Sequence, residues 1–484
     1  MLKSKPGQWH SKVAQVLEGE FSDAVAHEPE LLAHHFTEAG LNDRAVPYWT
    51  RAGQRASERV AFAEAVNHLA TALTVNDRLP RSVERDRIEL QIRLPLASAY
   101  FGSLGWAAIE VPRTLEPARD LARSLGESEQ LACILYYVWL YHAMRCEYEM
   151  ADAATFELYS SAESTGDSKS LILAQMMDSC TCCWKGDFVG SCRVNAELVA
   201  TYETRANDDL DLVQITNNDP KCFAQSWAAI SSWVLGYPDE ALHIAQDQLA
   251  RARQLGHIFN LTWSLIGAGI TLALRGDAKR TREWHAEARA LGQQHALASV
   301  GQYVDPVWEG IALIWLREYK EGHATLSSGA PNWEAAGGVH NFPQIRTAFA
   351  AACLGMGQIE QAQSWARSAI QLADQTGHRW YEAEAHRVLG DVQLALSDPA
   401  AAEIAFVRAI EVAKGQKAKS WELRAATSLA RLWRDQDKRR EAHDLLAPVY
   451  GWFTEGFDTP VLQEAKVLLD ELSGSPAVVL AASP

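Results

Sequence analysis

The chain has 484 residues, too many for one compact core, so several domains or an extended array of repeats are expected. Hydrophobic residues make up 48% and charged residues 22%, a balance typical of folded proteins. The formal net charge of −16 would repel phosphate backbones, which argues against nucleic-acid binding. Eight cysteines stand at irregular positions, without the framework of a small secreted domain, so a reduced, cytoplasmic protein is predicted.

The first residues carry no apolar region of the kind found in signal peptides, and residues 1–28 are predicted to form a connector helix. The longest apolar run, residues 131–144, is shorter than the roughly 20 residues that a membrane-spanning helix needs. That run is predicted to be a buried helix, and no membrane partner is expected.

Residues 27–40, HEPELLAHHFTEAG, hold three histidines and three glutamates and begin like the zinc-protease signature H-E-x-x-H. The signature fails because Leu31 stands where the second histidine should be. Helical spacing places Glu30, His34 and Glu38 on one outer face, which is the best metal option in the chain. A solvated helix face is the favoured interpretation, and a metal-dependent enzyme is an alternative.

A short turn recurs along the chain, followed about five residues later by a small residue that opens an amphipathic helix. Six of these small residues are Ala241, Thr281, Gly322, Ala362, Ala402 and Ala442, at steps of 40 or 41 residues. Ala45 and Ser191 follow turns of the same form. A fixed period of this kind is typical of a solenoid, in which each helix pair needs its neighbours to cover its apolar face. The predicted fold is all-α: a tetratricopeptide-like helix-pair solenoid, wound as a right-handed superhelix, with units of about 40 residues.

The repeats are interrupted once, because the step from Ser191 to Ala241 is 50 residues. The extra residues fall in the acidic segment ETRANDDLDLVQITNNDP, which is either a solvated linker or a loop on the binding face. The predicted organisation is a connector helix (1–28), N-terminal helical repeats (29–202), an acidic loop (203–222), C-terminal tetratricopeptide-like repeats (223–470) and a disordered tail (471–484).

Cys180, Cys182 and Cys183 form a C-x-x-C pattern near the predicted C-terminal end of a helix. A redox pair favours the opposite end, where the helix dipole stabilises a thiolate. These cysteines are therefore predicted to be small packing residues, with a regulatory thiol as the alternative. Tryptophans such as Trp233, Trp365, Trp380 and Trp421 are likewise predicted to pack in the core.

The first helix of each pair, helix A, is expected to line the concave surface of the superhelix. Glu384, Arg387 and Asp391 share one face of such a helix. Arg424 and Arg431 occupy the matching face one unit later, with Thr427 between them. These mixed charges could hold a partner's peptide or a carboxylate, although an ordinary solvated stripe is the alternative.

Three stretches carry a resemblance to a known family: residues 29–56 (PELLAHHFTEAGLNDRAVPYWTRAGQRA), 218–242 (NDPKCFAQSWAAISSWVLGYPDEAL) and 376–395 (TGHRWYEAEAHRVLGDVQLA). They resemble the C-terminal tetratricopeptide-repeat region of large bacterial proteins that join a class III adenylate/guanylate cyclase domain to an AAA/STAND-type ATPase. The resemblance covers about residues 10–470. It implies a regulatory module of a bacterial signalling system, with a protein or peptide partner that could be a cyclase or a P-loop ATPase.

The catalytic parts of that family have no counterpart in the sequence. No G-x-x-x-x-G-K-[ST] loop occurs in the sequence, and we expect no cyclase domain before Met1. No catalytic residue, cofactor or metal site is therefore predicted, and the main hypothesis is a non-enzymatic interaction or sensor module. The alternatives are a truncated or split-gene cyclase-related protein without its catalytic domain, a metal-dependent enzyme at Glu30, His34 and Glu38, and a transcriptional activator, for which no DNA-binding domain is evident.

Overall fold

The computed structural model describes residues 4–21, 27–59, 61–105, 108–204, 212, 213, 216, 218–295, 297 and 299–474. Within these residues there are 23 α-helices, one short π-helical segment and no strand. The prediction of an all-α, tetratricopeptide-like solenoid of paired helices is confirmed. Residues 205–211 of the predicted acidic loop and residues 475–484 of the predicted tail lie outside the described residues.

The chain divides into two compact units, the first made of Met1–Arg145 and Ala153–Thr165. Its helices are α1 (Ser4–Glu20), α2 (Pro29–Glu38), α3 (Asn42–Glu58), α4 (Phe62–Asn76), α5 (Val83–Leu104), α6 (Glu110–Leu125), α7 (Ser128–Met144) and most of α8 (Tyr148–Thr165). Helix α7 contains the long apolar run, and Ile134, Leu135 and Trp139 within it are fully buried. That run is therefore a core helix, as predicted.

The second unit, Cys146–Asp152 and Gly166–Pro484, holds the rest. Its helices are α9 (Ser168–Lys185), α10 (Phe188–Glu203), α11 (Pro220–Leu235), α12 (Pro238–Leu255), α13 (Ile258–Arg275), α14 (Ala278–Gln294), α15 (Asp305–Trp315), α16 (Tyr319–Ala335), α17 (Phe342–Gly355), α18 (Ile359–Thr376), α19 (Glu382–Ala395), α20 (Pro399–Gly415), α21 (Lys419–Asp435), α22 (Arg439–Tyr450) and α23 (Pro460–Leu472), with a π-helical segment at Val300–Val304. Odd-numbered helices from α9 to α21 are the A helices, and each even-numbered helix that follows is its B partner.

The small residues of the forty-residue pattern all occupy one structural position, the fourth residue of a helix, which in the second unit is always a B helix. They are Ala45, Ser191, Ala241, Thr281, Gly322, Ala362, Ala402 and Ala442, and all are buried. At Gly322 the reason is visible, because a Cβ atom there would lie 2.7 Å from Cγ1 of Ile314 on the paired A helix. The two backbones approach so closely that no larger side chain fits, which confirms the predicted register.

The turns between paired helices follow from two residue preferences. Gly186 ends α9 with a φ of +85°, a conformation that glycine adopts without steric cost. Asp187 then caps α10, its carboxylate accepting a hydrogen bond from the backbone N–H of Gly190 at 2.9 Å. Gly276 and Asp277 repeat the arrangement before α14. The Gly-led turns in the sequence are thus a helix stop followed by a helix start.

Helix α13 is long and apolar enough, by length and composition, to cross a membrane, and it is the one such helix among the described residues. However, 67% of that segment is buried inside the second unit. It packs between α11 and α15 as the A helix of its repeat, which accounts for its apolar composition.

The second unit closes on itself through contacts between residues far apart in the sequence. Each contact joins the C-terminal end of an early A helix to a residue at, or just before, the start of a much later helix, and we call the set the seam. The backbone N–H of Arg379 donates to the carbonyl of Trp184 at 2.8 Å, the hydroxyl of Ser420 donates to the carbonyl of Trp233 at 2.5 Å, and Arg275 pairs with Asp458 at 3.0 Å. The repeats of this unit therefore touch partners beyond their immediate neighbours.

Beside the seam, aromatic side chains pack together in one connected cluster, the aromatic core. All but Trp333, which lies on the B helix α16, come from A helices or from the turns before them. Neighbouring rings have centroids 4.9 to 6.5 Å apart. The members include Trp184, Trp227, Trp233, Trp308, Trp315, Trp333, His340, Trp380, Tyr381 and Trp421. The prediction of core packing holds for Trp233, Trp380 and Trp421. It is wrong for Trp365, which lies on α18, stacks on Phe349 and remains 36% exposed.

A mutation at Gly310 tests the helix-pair packing. A Cβ atom at this position in α15 would lie 2.6 Å from the backbone nitrogen of Leu326 and 2.8 Å from its Cα, and backbone atoms cannot rotate aside. We expect Gly310→Ala to lower the free energy of unfolding by about 1–3 kcal/mol. Gly415→Ala is the matched control, because no atom lies within 4 Å of that Cβ. Urea unfolding that gives both variants the same stability would contradict the close approach.

Two buried histidines, His340 in the aromatic core and His378 beside it, make the free energy of unfolding depend on pH. Burial lowers the pKa of His340 to about 3, and burial together with His340 lowers the pKa of His378 well below its usual value. His378 contacts the hydroxyl of Tyr148 through Nδ1 at 2.7 Å. Because the folded-state pKa lies below the unfolded value of about 6.5, the stabilisation is complete above that pH and is lost as the pH falls.

We expect the free energy of unfolding to fall between pH 7 and pH 5, with about 2 kcal/mol of the loss due to His340. Chemical denaturation at the two pH values measures this loss. His340→Gln should remove that share of the pH dependence, whatever its effect on stability at pH 7. His443→Gln is the control at a histidine whose side chain is 41% exposed, and an equal pH dependence in both variants would contradict the assignment.

Candidate functional site

The five groove residues predicted from the sequence come together in one cavity of about 290 Å³ in the second unit, the arginine groove. Its charged lining consists of Arg317, Glu384, Arg387, Asp391, Arg424, Arg431 and Glu464. These residues lie on α19, α21 and α23 and on the turn after α15. The structure therefore places Glu384, Arg387, Asp391, Arg424 and Arg431 around a shared space, while their role in partner binding stays a prediction.

Glu384 is the structural centre of the groove. Its side chain is 5% exposed, and both of its oxygens accept hydrogen bonds from two guanidinium groups. Arg387 donates to it at 2.7 and 2.8 Å, and Arg424, one repeat later, donates at 2.9 and 3.1 Å. Bidentate pairing of this kind fixes the plane of each guanidinium as well as its position. Glu384 thus orients two cations from adjacent repeats.

The electrostatics of this cluster are strongly coupled. Burial alone would raise the pKa of Glu384, but Arg387 and Arg424 outweigh it and hold that pKa at about 2. Burial likewise opposes the charge on Arg387, yet Asp391 and Glu384 raise its pKa well above the ordinary value. Arg387 also donates to Asp391 through Nη1. Glu384 and Arg387 therefore stay charged at neutral pH, and the cluster is an ionic framework held by several hydrogen bonds.

Arg424 connects this framework to the aromatic core. Its guanidinium lies over the ring of Trp315, 4.2 Å from the ring centroid, a favourable cation–π arrangement. The indole N–H of Trp315 in turn donates to the hydroxyl of Tyr381. The cation is thereby held on one side by a carboxylate and on the other by an aromatic face.

The other end of the groove is more open. Glu464, on α23, pairs with Arg431 at 3.0 Å and with Arg317. The side chains of Arg431 and Arg317 are 42% and 68% exposed. Burial would raise the pKa of Glu464, but Arg431, Arg317 and Arg424 together lower it. In the described residues, Nε and Nη1 of Arg431 make no hydrogen bond, so this guanidinium can accept a further anionic partner.

The groove can hold a small anionic group beside an apolar one. Four guanidinium groups against three carboxylates leave one net positive charge on its lining. Apolar surface comes from Ile314, Trp315, Ala348, Ala351, Val388 and Val461. Convergent donors with an apolar floor are typical of sites that bind peptides or small molecules.

Sequence reasoning missed Arg317, Trp315 and Glu464. Extending the forty-residue register by one unit would have found Glu464, because Glu384, Arg424 and Glu464 are spaced by 40 residues each. The same register relates Thr347 and Ala351, which also line the groove, to Arg387 and Asp391. Arg317 and Trp315 had no such signal, because they lie at the end of α15 and on the turn after it, at positions that do not match the register of the other groove residues.

Two other cavities of the second unit are less suited to a ligand. One is apolar, lies between α11 and α13, and offers about 30 Å³, which is far below the size of ligand pockets. The other offers about 480 Å³ beside the seam and is lined by the cations Lys185, Arg379, Arg408 and Lys417. Its buried carboxylate, Glu382, lies 3.7 Å from the nearest guanidinium nitrogen of Arg379, so this cavity lacks the bidentate pairing that orients the cations of the arginine groove.

The alternative metal trio of Glu30, His34 and Glu38 is not assembled. His34 instead lies beside His10 and His35, with ring centroids 5.9 and 5.6 Å away. No group of three or more His, Cys, Asp or Glu side chains that could hold a metal ion occurs in the part of the chain that the structure describes, Glu30 and Glu38 included. The alternative of a metal-dependent enzyme at this helix therefore has no structural support.

The cysteines of the C-x-x-C pattern lie in the last turns of α9, where the sequence places them. Cys180 and Cys183 are fully buried. Burial raises the pKa of both thiols, that of Cys183 to about 12. A thiol that stays protonated at neutral pH is a poor nucleophile, which favours the packing role.

Comparison with known proteins supports the fold of the chain but does not assign the chain to a family. No protein-family model matches the chain. An uncharacterized protein of Rhizobium meliloti (strain 1021) is 26% identical over 410 residues, which are 83% of this chain and 39% of that protein. The chain thus spans about two fifths of the length of the curated relative it matches.

Among solved structures, a Rap protein complexed with Competence and Sporulation Factor aligns with a TM-score of 0.50 and 10% identity, covering 77% of this chain and 98% of that one. A signal transduction ATPase with a tetratricopeptide repeat sensor from Pyrococcus horikoshii aligns with a TM-score of 0.38 and 12% identity, covering 80% of this chain and 50% of that one. The alignment with the Rap protein agrees with the tetratricopeptide-like helical fold of the chain.

Proposed function

We propose that the chain is a non-enzymatic interaction module that binds a protein or peptide partner in the arginine groove. The observation that supports this most is the groove itself, in which two half-exposed guanidinium groups stand beside cations oriented by a buried carboxylate. Interactions of Arg with planar anions give both affinity and geometric specificity. A repeat protein of similar fold has been solved with a bound factor, which is consistent with this use of the fold.

Selection of peptides from a random displayed library on the full chain tests the proposal. We expect enriched peptides whose binding is lost in the double variant Arg317→Ala/Arg431→Ala, because both side chains line the groove and are exposed enough to be removed without unfolding the unit. The matched control is Arg193→Ala/Arg440→Ala, which removes two positive charges at side chains 62% and 90% exposed. Enrichment that survives the groove variant would place binding elsewhere.

The partner we favour is a signalling cyclase or P-loop ATPase of a bacterial, cytoplasmic system. The support is the resemblance of residues 29–56, 218–242 and 376–395 to the repeat tails of cyclase–ATPase proteins. The relative from Rhizobium meliloti is also much longer than the matched region, as expected of a protein with further domains. A cyclase or ATPase gene beside the gene for this chain would support the pairing, and its purified product should bind the chain.

As a non-enzyme, the purified chain should form no cyclic nucleotide from ATP or GTP. Incubation with either nucleotide and a divalent cation, followed by chromatography of the products, measures this. Turnover that persists through successive purification steps would overturn the non-enzymatic assignment.

A further inference from the structure

Two glutamates at equivalent positions of the repeat register play different parts in the arginine groove. Glu384 is almost fully buried, and each of the two arginines that bind it uses two nitrogen atoms. Glu464, two units later, is 36% exposed and meets each arginine through a single nitrogen, Oε1 facing Arg317 and Oε2 facing Arg431. Glu384 is therefore a permanent part of the ionic framework. Glu464 has the geometry of a carboxylate that another anion could replace.

Breaking the ion pairs of Glu464 with Arg317 and Arg431 costs little free energy, because ion pairs between partly exposed side chains contribute little to stability. The backbone beneath it is firmly held, since Leu462, Ala465 and Leu468 of α23 are buried against the last repeats. A rotation of the Glu464 side chain is therefore enough to free Arg317 and Arg431, and no helix needs to move.

We propose that Glu464 is an internal occupant of the arginine groove, and that the ligand of the groove presents a carboxylate that replaces Glu464 on Arg431 and Arg317. This inference rests on the proposed binding function of the groove. The internal carboxylate shows which chemistry these two cations accept. Val461 and Trp315 line the same cavity, so the carboxylate is expected to carry a small apolar group beside it. A peptide C-terminus and an acidic side chain both offer this combination.

The experiment compares the full chain with its Glu464→Gln variant, which keeps the size of the side chain and removes its charge. The probe is sodium propionate, a carboxylate with a short apolar tail, and NMR signals of the arginine Nε–Hε groups report binding at Arg431. If Glu464 occupies the cations nine-tenths of the time, the variant should bind propionate about tenfold more tightly. Glu471→Gln is the matched control, since Glu471 lies on the same helix, pairs with Arg434 at 2.8 Å and does not line the groove.

Tighter propionate binding in Glu464→Gln but not in Glu471→Gln supports the inference. Equal affinity in all three proteins overturns it, as does a Glu464→Gln protein in which propionate leaves the Arg431 signal unmoved. These failures leave the proposed function intact, because peptides selected on the chain could still depend on Arg317 and Arg431 without competition from Glu464.

Three acetylated tripeptides distinguish the source of the carboxylate. Trialanine with a free C-terminus carries only an α-carboxylate, Ala-Glu-Ala amide carries only a side-chain carboxylate, and trialanine amide carries neither. A gain in Glu464→Gln with the first or the second supports competition and identifies the source. A gain with trialanine amide would show that charge is not what Glu464 competes for, and would overturn the inference.

Discussion

Replacing Trp421 with alanine is expected to lower the free energy of unfolding of the second unit by about 3–5 kcal/mol, one of the two largest effects we predict. Trp421 is 1% exposed, and its ring lies 5.1 Å from that of Trp233, 5.6 Å from Trp315 and 5.2 Å from Tyr381. Removing it opens a cavity among rings that belong to repeats far apart in the sequence, so collapse around the gap is restricted.

Trp365→Ala is the matched control for this change. Trp365 is 36% exposed and makes one stacked contact, with Phe349 at 5.1 Å, so its loss should cost about 1 kcal/mol. Denaturant unfolding followed by far-UV circular dichroism compares the two. Equal costs would mean that the aromatic core contributes no more than a surface stack.

Replacing Glu384 with alanine is the second large effect, with an expected loss of about 3–5 kcal/mol in the free energy of unfolding. The change leaves the largely buried guanidinium of Arg387 with Asp391 as its one remaining carboxylate partner and takes both hydrogen bonds from Arg424. A buried cation that loses one of its two carboxylate partners does not regain the lost interaction from water, which is why the cost exceeds that of an ordinary hydrogen bond.

Glu411→Ala provides the comparison, since Glu411 is 59% exposed and pairs with Arg408 at 3.3 Å. Its removal should change the free energy of unfolding by less than about 1 kcal/mol. The Arg424 Nε–Hε signal in NMR spectra should also shift in Glu384→Ala, because the guanidinium loses its fixed orientation over Trp315. A Glu384→Ala protein as stable as Glu411→Ala would show that the framework is dispensable.

The repeat architecture could be predicted because it depends on local rules. A small residue is required wherever two paired helices cross, so the residues from Ala241 to Ala442 mark the helix pairs at a constant spacing. The same spacing brought Glu384 and Arg424 together, since equivalent positions of adjacent repeats lie side by side. Periodicity therefore predicted the fold and placed Glu384 and Arg424 on matching faces, whereas the ion pair between them was not predicted.

The contacts that could not be predicted from the sequence join repeats that are far apart in the chain. Arg317 reaches Glu464 across 147 residues, and no local pattern encodes that distance. The exposed position of Trp365 was missed for a related reason. The sequence around it resembles that around the core tryptophans, and only the packing of α18 in the structure distinguishes it from them. The division into compact units at Arg145 and Gly166 likewise has no marker in the forty-residue pattern.

The seam has a consequence for how this chain is made. During synthesis, Trp233 leaves the ribosome 187 residues before Ser420, the residue that bonds to its carbonyl, and Trp184 precedes Arg379 by a similar interval. Early repeats thus expose aromatic surface until the last repeats are translated, and the completed unit gains stability that no shorter nascent chain possesses. Ribosome-bound intermediates should accordingly be sensitive to proteases and depend on chaperones until α21 has emerged.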